Sequence, residues 1–420
     1  MKVRAALCCL VVSVLLLSGC GGDDGGDPDA DPTTGEVDAA AFDPPMRFDT
    51  SAGVALPAEA SAGKISLGGN NFLALPVALA GTKAFVASVD RLQIIDTRSG
   101  EQFPDITPDS GTAMDPTSAI FVGDNPIQAP ITVQLDGTDL VVVPFVVYGE
   151  AEGTEPAHQI LELVAVDAAS GERAFNVPVE LPNLEGTAEY EFAEALGESG
   201  GVVVVDVDQK YTVMVDLDAR APAWEEAFMA EAVVGDTVVG KPLDAAGSLN
   251  VDGLRDGLAV ADGAPTWEGE DFGLRELYAA GPKFVAAAGP DSADAGGLLW
   301  IDAASGAVAG QEAGNWVGYE CAFDHAETVV CFNQSNRWTG AWDAETGERL
   351  WELADSDERS GVVFTAAWHG AVYGIGPVVL DARTGADAET EPGTAPHVVN
   401  EYIGIGEKES GGVAAYPSIE

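Results

Sequence analysis

A five-residue phrase recurs along the 420-residue chain: Asp, two residues, Ser or Thr, then Gly. It reads DTRSG from Asp96 to Gly100, DAASG from Asp167 to Gly171, DAASG from Asp302 to Gly306, DAETG from Asp343 to Gly347 and DARTG from Asp381 to Gly385. Two degenerate copies fall between. In VDLDARAPAW, Asp216 keeps the spacing to Trp224 that Asp343 keeps to Trp351; a shortened VADGAPTW carries Asp262. The steps from Asp to Asp are 71, 49, 46, 40, 41 and 38 residues. A period near 40 is the mark of a repeat architecture. A catalytic motif has no reason to appear in every repeat, so these aspartates are expected to build structure.

Each copy has the same local logic. Apolar residues precede the Asp, as in Ile94-Ile95 and Leu299-Trp300-Ile301, and read as a buried strand. The Asp carboxylate and the Ser or Thr hydroxyl accept N–H groups two or three residues on, and Gly supplies the positive φ that closes a tight hairpin. The following strand starts polar and reaches an aromatic: Phe103, Phe175, Trp224, Trp267 or Trp351. Further β-rich runs lie upstream of each turn, such as ETVVCFNQ. The one stretch that reads as a short helix is AEYEFAEALGE, Ala188 to Glu198. Four short strands per unit of about 40 residues make a β-propeller blade.

Units of the form apolar-apolar-Asp-Ala-x-Thr/Ser-Gly-Glu-x-x-Trp resemble the repeats of the PQQ-like, quinoprotein-alcohol-dehydrogenase-type propeller family. The likeness covers residues 70 to 390 and is strongest in 297–385. It implies that each turn joins the third and outer strands and that the aromatic packs between blades. Eight four-stranded blades are expected, with seven as the alternative. The closing blade would combine Met46–Pro57 with strands from His397–Pro417, leaving no free sheet edge. The 71-residue step leaves Pro104–Pro130 as a long loop and a candidate binding surface.

The N-terminus gives an address. In MKVRAALCCLVVSVLLLSGC a short basic start precedes an apolar run too short to span a membrane. Leu17-Ser18-Gly19-Cys20 matches the lipobox of bacterial lipoproteins. The expected organisation is a leader at 1–19, a lipidated Cys20 opening an acidic Gly/Pro/Asp tether at 20–45, and one propeller at 46–420. The lipid bilayer is then the first partner, since two acyl chains anchor stably where one does not. Asp27-x-Asp29-x-Asp31 has Pro32 where a calcium loop needs Gly, and reads as spacer. Once Cys8, Cys9 and Cys20 are set aside, Cys321 and Cys331 remain; folding the segment about Ala326 puts them opposite each other, as a cross-strand disulfide.

Composition narrows function further. The 69 acids against 19 bases give a formal charge of -50, which repels phosphate backbones and excludes nucleic acid as a partner. The acid-heavy, Ala-, Gly- and Val-rich composition points to a high-GC Gram-positive source. By resemblance, a quinoprotein dehydrogenase binding PQQ and calcium is the enzyme alternative; such enzymes hold the quinone against a disulfide of adjacent cysteines, which the mature chain lacks. His158, His325, His369 and His397 are scattered, and no HExxH, nucleophile elbow or phosphate loop is present. The expectation is therefore a monomeric, non-catalytic binding or scaffolding platform without cofactor or metal. It would grip an unknown protein, peptide or glycan on a propeller face, with a ligand-sensing module of the envelope as a further alternative.

Overall fold

The computed structural model of the chain describes residues 40–61, 75–114, 127–150, 157–183, 189–243, 254–273, 275–290, 296–333, 337–354, 356 and 361–419. The leader, Cys20 and most of the tether lie outside them, as do residues 115–126 of the long loop.

The middle strands of each unit are apolar almost without interruption. Phe284–Ala288 and Thr328–Asn333 are buried at every position. A strand whose two faces both meet neighbouring sheets has no polar face to show. Outer strands differ: in Pro265–Asp271 only Trp267 is buried. Eight antiparallel sheets result, numbered here as blades 1 to 8. Their inner strands are Val77–Ala80, Ile131–Leu135, Ala193–Ser199, Phe228–Val234, Glu276–Ala280, Glu320–Phe323, Val363–Trp368 and Val398–Val399. Each inner strand touches the next, and the last touches the first, so the sheets form a closed wheel around a hub.

Closure is made by the chain's two ends. Blade 8 takes Val398–Val399, Ile403–Glu407 and Val413–Pro417 from the C-terminal end and Val54–Ala55 as its outer strand. Val54 pairs with Ala415 and Ala55 with Ala414, and Leu56 N–H donates to Val413 O at 3.1 Å. The count is thus eight blades, and the ladder of the final sheet is completed by residues far away in sequence. Two blades depart from the regular plan. The outer strand of blade 1 is reduced to bridges pairing Gln102 with Ile95 and Ile106 with Leu92. In blade 2 the eleven-residue strand Thr138–Tyr148 is flanked on its inner side by both Ile131–Leu135 and Thr112–Ala113, which accounts for the 71-residue step.

The helix expected from Ala188 to Glu198 is not formed. Its described part contributes Ala193–Ser199, the inner strand of blade 3, paired with Val202–Val207 through a bulge between Ala195 and Gly197. Ala and Glu favour helices locally, but pairing with a strand buried on both faces outweighs that preference. The helical residues among those described are two 3-10 turns, Thr50–Ala52 and Ala58–Ser61.

Because each blade runs antiparallel, its inner-to-second and third-to-outer hairpins share one face of the wheel, the turn face. The other hairpins and the connections between blades share the opposite, loop face. Residues 42–48 join the wheel on the turn face: Phe42 N–H donates to Glu401 O at 2.8 Å and Tyr373 Oη donates to Pro45 O at 2.8 Å. Phe48, 3% exposed, packs against the Tyr373 ring.

Candidate functional site

The recurring aspartates end the third strands of separate blades and do not converge on a pocket. Oδ1 of Asp96 accepts the N–H groups of Arg98 and Ser99 and the Ser99 hydroxyl at 2.7–3.1 Å. Gly100, at φ +76°, donates its N–H back to Asp96 O, and Glu101 N–H donates to Ser99 Oγ at 3.2 Å. The bonds from the Ser or Thr N–H and hydroxyl recur at Asp167, Asp302, Asp343 and Asp381, with Gly171, Gly306, Gly347 and Gly385 all at positive φ. At Asp96 and Asp343 burial opposes ionisation, but bonds from Ser99 and Arg98, and from Arg383 and Thr346, outweigh it and hold both carboxyls below their ordinary range. Such carboxylates are bound in place as turn acceptors and are poorly suited to proton transfer.

The degenerate copies differ in instructive ways. Asp216 accepts from Ala219 N–H at 2.8 Å, and Arg220 occupies the glycine place at φ +52°. In blade 4 the residue equivalent to the other aspartates is Ala259, whose carbonyl accepts from Gly263 N–H. Asp262 stands instead in the hydroxyl's position and accepts from Ala264 N–H at 3.0 Å. The alignment of Asp262 with the other aspartates is corrected by three residues, which makes both flanking steps 43 residues. In blades 1, 2, 3, 4 and 6 the aromatic of the outer strand then seats on the next blade's turn. Trp267 covers Gly306 and donates Nε1–H to Ala303 O at 2.8 Å; Trp224 and Trp351 do the same to Val260 O and Ala382 O at 2.7 Å. Phe103 covers Gly171, and Phe175 lies under the Arg220 guanidinium at 4.6 Å. Blade 5 has no aromatic in its outer strand Val308–Glu312; Trp300 of its third strand covers Gly347.

Cys321 and Cys331 face each other between the inner and second strands of blade 6 and are joined as a disulfide, their Cα atoms 4.0 Å apart. Both are buried in the cluster between blades 5 and 6. The pair is not a vicinal disulfide and does not line the hub. Among the described residues no group of three or more His, Cys, Asp or Glu is placed to hold a metal. The described residues therefore do not fit a quinone held against adjacent cysteines beside a calcium ion.

What the fold does assemble is a cavity of about 590 Å³ along the inner strands of blades 1, 2, 3, 6, 7 and 8. Its wall is apolar, with Leu79, Ile131, Phe364 and Val398, and it reaches the turn face at His325, Trp368 and Asn400. An aromatic row forms the rim: Phe323 to His325 at 5.8 Å, His325 to Trp368 at 5.4 Å, and Trp368 stacked on His369 at 4.1 Å. Asp43, from the N-terminal segment, caps this row. Its Oδ1 accepts Trp368 Nε1–H at 3.0 Å and meets His369 Nδ1 at 2.6 Å. Buried Asp324 fixes both hairpins, with Oδ1 accepting from Ala326, Glu327 and Thr328 and Oδ2 from Gly370 N–H. Desolvation by burial, then the nearby His369, push the His325 pKa down against the pull of Asp324.

His325 and His369 are 44 residues apart in sequence and Asp43 is more distant still, so no spacing motif relates them. The signal lies in the repeat: FDH and AWH end the inner strands of consecutive units, which places the two histidines on neighbouring hairpins. A second buried carboxylate supports the long loop. Glu162, 0% exposed, accepts Asp109 N–H and Ser110 N–H and the Asn176 amide, pinning the loop's start against blade 2.

No family profile and no curated protein matches the chain. Among solved structures, BamB from Moraxella catarrhalis is similar over 81% of this chain and 95% of that one, at 16% identity and a TM-score of 0.42. The computationally designed Ika8 protein is similar over 74% of this chain and 93% of its own, at 13% identity and a TM-score of 0.36.

Proposed function

We propose that the chain is a non-catalytic binding platform, held at the extracytoplasmic side of a membrane through acylated Cys20, and that the hub cavity is where it grips its ligand. The observation that carries this reading is the cavity itself. A closed wheel has filled its spaces between blades with side chains, yet leaves about 590 Å³ among six inner strands, in the size range of ligand pockets. Asp43, at the start of the described residues, is bonded to the rim of that same cavity, so the chain that follows the tether enters the wheel beside the site. The lipobox and tether support the anchor, and the disulfide fits an oxidising compartment.

Two measurements test this. Cys20→Ser is expected to release the protein from the membrane fraction; full retention of the variant removes the lipid anchor. A photo-crosslinking residue at Asn400, on the rim, is expected to capture one recurrent partner, and Thr132→Trp, which fills the cavity from an exposed position, to abolish the capture. Capture only from Val317, which is 58% exposed outside the hub, would move the binding surface away from the cavity.

A further inference from the structure

We propose that the hub cavity takes an organic cation carried on an apolar body, the chemistry shared by a peptide's arginine side chain and a free hydrophobic amine. This deepens the platform reading and rests on it. Among the described residues, no Lys or Arg lines the cavity; its one carboxylate, Glu198, has Oε1 bound to Gly201 N–H at 2.6 Å. The second acid, Asp43, stands at the rim with both its bonds on Oδ1, and among the described residues Oδ2 accepts none. Burial disfavours the charged form of His325, and no Lys or Arg stands among the described residues that line the mouth. An anionic ligand would enter a site with no Lys or Arg among the described residues that line it, on a chain of net charge -50.

The wall favours a cation with a greasy stem over a bare ion. Phe323, His325 and Trp368 supply aromatic groups at the mouth, and the faces of such rings attract guanidinium and alkylammonium groups. Leu79, Ile131 and Val398 line the path along which an aliphatic stem would lie, charged head toward the mouth. An independent observation points to a missing partner. Thr365, 1% exposed, lines this cavity, and among the described residues its hydroxyl has no hydrogen-bond partner. Buried hydroxyls in native proteins are nearly always satisfied, and this one belongs to the wall along which the ligand would lie.

The test is calorimetric titration of the full chain at physiological ionic strength with three probes: acetyl-Leu-Arg-Leu-amide, hexylammonium, and acetyl-Leu-Glu-Leu-amide. One cation is expected to bind per chain, about tenfold or more tighter than the acidic peptide. Glu198→Gln and Trp368→Leu are each expected to weaken it about fivefold, and Thr132→Trp to abolish it. Because Thr132 is exposed, this last variant is expected to fold even where a change at Trp368 loosens the rim. Preference for the arginine peptide over the free amine assigns a peptide source, and the reverse a free amine; either supports the cation chemistry. Equal binding of the acidic peptide overturns it, as does cation binding that survives Thr132→Trp, which is diffuse surface attraction. If the acidic peptide is preferred and Thr132→Trp still blocks it, the chemistry falls and the hub remains the site. If Asn400 crosslinking is also untouched by Thr132→Trp, the platform reading of the hub falls as well.

Discussion

Gly385 holds φ at +67°, and a Cβ there would come within 2.7 Å of the Trp351 ring. Gly200 has a similar φ of +60° with nothing within 4 Å. The two separate backbone strain from inter-blade packing. Gly200→Ala is expected to cost about 1 kcal/mol from strain alone, and Gly385→Ala about 3 kcal/mol because the indole must also shift; equal losses in chemical denaturation would show that the aromatic seat contributes nothing. Glu162 gives the clearest pH signature. Burial works to raise its pKa, but bonds from Asp109, Asn176 and Ser110 win and hold it below the ordinary 4.5. Its contribution to stability is therefore full above pH 4.5 and lost as pH falls through the lower folded value. Glu162→Gln is expected to destabilise the fold by about 2 kcal/mol at neutral pH and to flatten the loss of stability on acidification; an unchanged acid limb would remove Glu162 from that role.

Hairpin turns and their aromatic seats are the elements that repeat, and blade 4 shows how much of the pattern a turn needs. With Ala259 in the aspartate's place, the turn loses the carboxylate that collects two or three donors in five other blades, while Asp262 keeps only the bond to Ala264. The double change Ala259→Asp with Asp262→Ser rebuilds the regular turn and is expected to stabilise the protein by about 1 kcal/mol; thermal unfolding that does not rise would mean blade 4 has compensated elsewhere. The sequence made the regular turns legible because Asp, Ser or Thr, and Gly each have a local reason to be there. It misled at Asp262, where a carboxylate replaced a hydroxyl, and at Ala188–Glu198, where helix-favouring composition lost to a ladder with Val202–Val207.

Closure by Val54–Ala55 makes the whole wheel depend on a two-residue strand. A chain shortened to begin at residue 58 would expose the Val413–Pro417 edge and remove Phe48 from its pocket against Tyr373 and Tyr416. It is expected to melt at a lower temperature and to aggregate, since an unpaired apolar edge is a template for other strands; an undiminished, concentration-independent melt would show that the wheel closes without it. By itself the sequence determined the all-β class, the repeat and the turn chemistry, because these follow from local propensities and a period that any single unit displays. The eight-blade count, the register of the closing strand and the union of Asp43, His325, Trp368 and His369 at one rim were decided only by the tertiary structure. Those residues come from the first and last quarters of the chain, and nothing local relates them until the ring of sheets brings its ends together.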